Sequence, residues 1–188
     1  MIELHSITSD YSGTKGIFEI KLDKEKVVYM SIAKTNFNND ERCVVVVDAT
    51  KFLKLWKAEP YSIHSDISMG NPETWKNDRK YHHAVKGFSF GISNPVPLAN
   101  VVCNEHVISK PIYERKYILF KKLLRIEEIG INYVSYINGI TRTIWLLCNG
   151  AKSFPIECNL KDGAQRLAEY AGYGKNSFCT VEQLTNGT

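Results

Sequence analysis

The sequence has 188 residues, 44% hydrophobic and 23% charged, and 24 Lys and Arg against 20 Asp and Glu leave a net charge of +4. That is the composition of a soluble globular chain long enough for one domain with its own core. It excludes a membrane-spanning protein, since no apolar run approaches the length of a span, and any membrane association would have to be peripheral. The mildly basic balance permits a nucleic-acid partner without arguing for one, and five cysteines in no framework spacing fit a reducing cytoplasm.

The N-terminus carries no signal-peptide pattern, and Met1–Gly16 is polar with no clear period. Ile17–Leu22 and Val27–Ala33 are short strand-like runs separated by Asp23-Lys24-Glu25-Lys26, which predicts a hairpin. Cys43–Val47 sets four valines behind a cysteine, the pattern of a strand buried on both faces. Asp48 or Thr50 can cap a helix over Lys51–Lys57 that Pro60 closes, with Phe52, Leu53, Leu55 and Trp56 as its apolar side. Tyr61–Met69 is a connector.

Glu73–Lys86 then reads as one helix, with Pro72 at its first turn and Gly87 as its stop; Asn94-Pro95-Val96-Pro97 leads into a strand over Leu98–Val102. This helix carries Trp75, Asp78, Arg79, Lys80, His82 and His83. Asp78 could hold a divalent metal or act as a base, and a histidine could move a proton near neutral pH; a solvated helix face accounts equally for Asp78 and Lys80 and better for the histidines. Cys103 and His106 have a Cys-x-x-His spacing, but a structural zinc site wants four ligands and no second pair matches.

Pro111–Ile129 is rich in helix formers and ends at Gly130, which predicts a helix. Arg115, Lys116, Lys121, Lys122 and Arg125 make it the most basic segment, with Tyr113, Tyr117 and Phe120 interleaved. Basic and aromatic residues together are what a single-stranded DNA groove uses; a helix packed by Ile118, Leu119, Leu123 and Ile126 with its lysines in water accounts for the same pattern.

Tyr133–Cys158 carries the strongest signal. Tyr133–Ile137 reads as a strand, Asn138-Gly139-Ile140-Thr141-Arg142 as a turn, Thr143–Cys148 as a buried helix stopped at Asn149-Gly150, and Phe154–Cys158 as a strand. A glycine turn before a helix can bring free N–H groups and the helix dipole to an anion such as phosphate. Arg142 could add a fork of donors, or could pair with a surface carboxylate in an ordinary turn. Lys161–Ala171 reads as a final helix stopped by Gly172, and Gly174–Thr188 as a polar, frayed end.

The stretch INGITRTIWLLCNGAKSFPIEC resembles the second conserved box of the ParB/sulfiredoxin superfamily. Gly139 matches the turn glycine, Arg142 the last arginine, Gly150 the helix-stop glycine and Phe154-Pro155-Ile156 the closing strand. Ile140 stands where sulfiredoxins carry the reactive cysteine and ParB its glutamate, so neither peroxiredoxin repair nor ParB-type CTP chemistry carries over. With GNPETWKNDRKYHHAVKGFSFGISNPVPLANV, the chain resembles the plasmid fertility inhibition factors. The resemblance implies an α+β (mixed α/β), ParB/sulfiredoxin-like single domain over residues 1–174. It would have an N-terminal hairpin and helix extension in 1–60, a core in 70–158, a basic helical insertion, and a polar tail at 175–188.

It further implies ATP and Mg²⁺, with phosphates on Asn138, Gly139, Ile140, Thr141 and Arg142, Lys80 at the nucleotide, and ATPase and DNase chemistry. In function it implies a block on transfer of single-stranded DNA through a type IV secretion system, near its coupling protein, in the bacterial cytoplasm or peripherally at the inner membrane. Arg142 would be the phosphate clamp and Asp78 the metal ligand or base, with Arg115, Lys116, Lys121, Lys122 and Arg125 on the DNA. Two further expectations are a DNA-binding module without catalysis and an inhibitor that docks on the transfer machinery.

Overall fold

The structure, a computed structural model, describes residues 2–11, 13–117, 120–175 and 177–186; the side chains of Asp10 and of residues 115–117 and 120–122 lie outside that description. The strands and helices, in chain order, are β1 (Ser6–Asp10), β2 (Gly13–Lys21), β3 (Val27–Ala33), β4 (Cys43–Asp48), α1 (Ala49–Lys57), α2 (Ser65–Ser68), α3 (Pro72–Trp75), α4 (Tyr81–Ser89), β5 (Val96–Pro97) and β6 (Ala99–Tyr117). Then follow β7 (Phe120–Asn138), α5 (Ile140–Cys148), β8 (Ser153–Cys158), α6 (Lys161–Ala171), β9 (Phe178–Thr180) and α7 (Val181–Thr185).

The class is mixed α+β. One sheet runs β1-β2-β3-β5 and the other β7-β6-β8-β4-β9. β4 lies between β8 and β9 and is antiparallel to both. Its Cys43, Val44, Val45 and Val47 are fully buried, as four unbroken apolar positions predict for a central strand. The Asp48 side chain ends it and caps α1, accepting the N–H groups of Thr50 (3.0 Å) and Lys51 (2.9 Å). One continuous core joins the two sheets through Phe18, Met30, Val45, Phe52, Val101 and Phe154. A second cluster sets Trp56, Trp75 and Ile144 together beneath α5.

Several expectations are corrected. The basic helix over Pro111–Ile129 is instead the outer part of a long antiparallel hairpin, paired from Asn100↔Asn138 to Tyr117↔Phe120. Helix propensity is a weak prior; the long ladder of pairing overrides it, with Lys110 opposite Glu127 across the strands. The single helix over Glu73–Lys86 is broken into α3 and α4. The Asp78 carboxylate accepts the Lys80 N–H (2.8 Å) and the Asp78 carbonyl accepts the Tyr81 N–H (2.9 Å), a local turn that competes with the helix ladder. Gly87 then lies inside α4, where an added Cβ would meet Val96 at 3.4 Å.

The end of the chain is also not a frayed tail, since β9 pairs with β4 and α7 buries Val181 and Leu184. In addition, β1 falls inside the stretch without a period, α2 inside the connector, and α5 begins at Ile140 rather than Thr143. Among the described residues no helix is long and apolar enough to cross a membrane.

Cys43 faces Cys158 across β4 and β8. Burial pushes the Cys43 thiol up to about 11 and the Cys103 and Cys179 thiols up to about 12. A thiol whose folded value lies above its unfolded one favours the folded state while protonated. That stability is complete below the unfolded value near 9 and is lost as the pH rises through 11 to 12. Thermal unfolding should therefore shift to lower temperature between pH 8 and pH 11; an unchanged midpoint would contradict the burial of these thiols.

Candidate functional site: the turn before α5

β7 delivers the chain to Gly139 and α5 leaves from it. Gly139 has φ +97° and serves as the N-cap residue of α5, so no side chain caps the helix. The N–H groups of Ile140, Thr141 and Arg142 are the orphan donors of the first turn. The space where a Cβ would stand at Gly139 is filled by Ala99, 2.5 Å from its Cβ and 2.6 Å from its Cα. The turn is thus pressed against the start of β6, and only glycine fits both the dihedral and the gap.

Arg142 fixes that junction. Its Nη1 donates to the Pro97 and Leu98 carbonyls, at 2.7 Å each, where β5 passes into β6. Burial lowers the guanidinium from its ordinary value, opposed by the Glu157 and Tyr136 charges; Glu157 itself accepts from Arg42 Nε at 2.7 Å. Arg142 is therefore not a free surface clamp. One nitrogen holds backbone, and its other N–H groups remain for a ligand. Arg142→Ala should orphan two carbonyls and cost about 2 kcal/mol, read as a lower urea midpoint with unchanged slope. Arg142→Lys should recover part of the loss.

Asp78 and Lys80 are placed elsewhere. Burial, then the neighbouring Cys148 thiol, pushes the Tyr81 phenol up to about 12, and the Cys148 thiol donates to the Pro72 carbonyl at 3.7 Å. Pro72 and Tyr81, which flank Asp78 and Lys80 in sequence, thus lie at the C-terminal end of α5, whereas the Gly139 turn is at its N-terminal end. α5 has nine residues, so a helix length of roughly 13 Å separates the two ends.

The structure brings together Asn138, Gly139, Ile140, Thr141 and Arg142, but not Asp78 or Lys80 with them. His82 and His83 are exposed, ring against ring at 3.9 Å. Arg125 lies exposed on the hairpin arm, paired with Glu127; the side chains of Arg115, Lys116, Lys121 and Lys122 lie outside the described residues.

Two residues that sequence reasoning did not single out complete the junction. The Tyr136 hydroxyl, on β7 three residues before Gly139, is buried, and burial raises its phenol from the ordinary value, opposed by Thr143 and the Arg142 charge. Glu157 is only 8% exposed. The available signal was a single carboxylate inside an otherwise apolar strand, which demands a buried cation such as Arg42.

The first turn of α5, without a side-chain cap, presents N–H groups of the kind that hold an anion such as phosphate. A magnesium ion on those phosphates does not fit Asp78, which stands at the far end of α5. Among the described residues no three His, Cys, Asp or Glu side chains converge as a metal cluster.

The two-sheet frame that carries the β7–turn–α5–β8 unit defines a class. The sequence model of the plasmid fertility inhibition factors matches residues 44–172, and the chain belongs to that family. The match takes in β4 through α6 and leaves out the β1–β3 meander. Protein Osa of Shigella flexneri is 26% identical over 129 residues, covering 69% of this chain and 56% of that protein, so the chain spans about half the length of that relative. The crystal structure of the oncogenic suppression activity protein, a plasmid fertility inhibition factor, in its gold(I) cyanide derivative, matches with a TM-score of 0.69 at 22% identity over 99% of this chain and 83% of that one. The mixed α+β fold is therefore shared with that protein.

Proposed function

We propose that this fertility inhibition factor blocks transfer of single-stranded DNA through a type IV secretion system by a nucleotide-dependent reaction, with ATP phosphates at the start of α5. The observation that carries the reading is Gly139: φ +97°, no side-chain cap on α5, and Ala99 closing the space behind it. The N–H groups of Ile140 and Thr141 would bind phosphate oxygens, with Arg142 a positioning residue that ties the turn to Pro97 and Leu98 and lends its free donors. The carboxylate whose charge reaches Arg142, Glu157, is held by Arg42, so no step is routed through magnesium. ATP hydrolysis and DNA cleavage are the activities this reading proposes.

The placement of Asp78 far from the turn favours a second reading, in which the fold is a scaffold that docks on the coupling protein. Phosphate release from ATP with Mg²⁺, with and without single-stranded DNA, separates the two when wild type is measured beside a folded Arg142→Ala. Turnover lost in the variant supports the nucleotide reading. No turnover in either protein removes it and leaves docking.

A further inference from the structure

β8 pairs with β6 only over Ala99–Val101, so from Val102 outward the strands β6 and β7 have only each other among the described strands. This arm exposes Val107, Tyr113, Leu123, Leu124 and Ile126, each about half accessible. A two-stranded hairpin is marginal in water, and a long apolar edge is a template for pairing.

The register sorts the arm's residues by face. Glu128 lies opposite Ser109, Ile126 opposite Pro111, Leu123 opposite Tyr113 and position 121 opposite Arg115, all on one face. Glu127 lies opposite Lys110, Arg125 opposite Ile112 and position 122 opposite Glu114, on the other. Leu124 is the extra residue of a bulge where the register steps from Ile112 to Tyr113.

We propose that the outer edge of β7 pairs antiparallel with the same edge of a second copy of this chain, about a two-fold axis between Leu124 and Arg125. The segment Lys121-Lys122-Leu123-Leu124-Arg125-Ile126-Glu127-Glu128 is self-complementary in that register. Lys121 meets the partner's Glu128, Lys122 the partner's Glu127, and Leu123 the partner's Ile126. Every one of these pairs shares a face, and it does so because of the bulge. In a regular strand residues an odd number apart point to opposite faces, and a two-fold pairing of 121 with 128 or 123 with 126 would be impossible.

The four-stranded sheet that results has two ordered rows. Pro111, Ile126, the partner's Leu123 and the partner's Tyr113 form an apolar row across it. Lys110, Glu127, the partner's Lys122 and the partner's Glu114 form a row of alternating charge. A basic groove for DNA explains the lysines but neither the two glutamates at mirror positions nor the bulge between them.

The test is the solution mass of the full chain by sedimentation. The wild type is expected at twice the 21.4 kDa chain mass. A chain carrying Glu127→Lys and Glu128→Lys, and another carrying Lys121→Glu and Lys122→Glu, should each dissociate with a constant raised roughly a hundredfold. Mixed in equal amounts, the two variants should recover the double mass, because each supplies the charges the other lacks. Circular dichroism of each variant shows that the chain is folded, and the mixing arm stays informative even where one variant is weakened. A wild type at single-chain mass up to its solubility limit, variants that keep the double mass, or a mixture that stays dissociated would each overturn the proposal. So would a lysine-substituted chain of unchanged mass that binds single-stranded DNA more tightly, which would assign the arm to DNA.

Discussion

Gly139→Val is expected to lower the stability of the folded chain by about 4 kcal/mol, from the left-handed backbone and overpacking together. The left-handed φ of +97° disfavours any β-branched residue, and the first added carbon would already stand 2.5 Å from the Ala99 side chain and 2.6 Å from its Cα. Ala99 cannot retreat, because it is 1% exposed and paired in β6 with Ile156 of β8. A chain of this size should lose roughly 8–16 °C in its melting temperature for such a change. Gly139→Ala should suffer most of the loss, since the clash begins at Cβ. A melting temperature within a degree or two of wild type for either variant would mean that the turn does not press on β6.

Phe52→Ala is expected to cost about 4 kcal/mol as well, here through a cavity. Phe52 is fully buried on α1. Its ring stands edge-on to Phe154 at 5.7 Å and to Tyr136 at 6.1 Å, with Trp56 closing on Tyr136 at 4.9 Å. Removing it takes support from Tyr136, whose hydroxyl lies buried beside the Gly139 turn, so the damage should reach the candidate site. Phe52→Leu, which keeps most of the volume, should cost under about 1.5 kcal/mol. Urea unfolding read by tryptophan fluorescence checks both, and a loss below 1 kcal/mol for Phe52→Ala would contradict this account of the core.

Where one local signal sufficed, the fold was legible. Four valines behind Cys43 announce a central strand, Asp48 a helix cap, and Lys161–Ala171 a helix that the structure reproduces at both ends. The β7–turn–α5–β8 unit was legible for the same reason, being contiguous in sequence. The hairpin arm was not, because Leu, Lys, Arg and Glu favour a helix residue by residue. What makes them strands is pairing between positions such as Lys110 and Glu127, which no local window contains.

The break at Asp78 was hidden because an aspartate within a helical pattern signals a turn only once its side chain is seen to accept the Lys80 N–H. α7 could have been found: Thr180-Val181-Glu182-Gln183 is a capping box, and both of its reciprocal bonds are present. For the candidate site, sequence located the turn but set Asp78 and Lys80 beside it, because a helix of unknown direction can be drawn against either end of its neighbour. The stacking of Phe88 on Trp145 at 4.2 Å and the approach of Tyr81 to Cys148 fix that direction.

The most direct measurement is an amide-resolved nuclear magnetic resonance titration of the ¹⁵N-labelled chain with ATP. The account predicts saturable shifts that are largest at the N–H groups of Gly139, Ile140, Thr141 and Arg142 and small along residues 76–82. Shifts centred on Asp78 and Lys80, or no saturable shift at the turn at any ATP concentration, would contradict it.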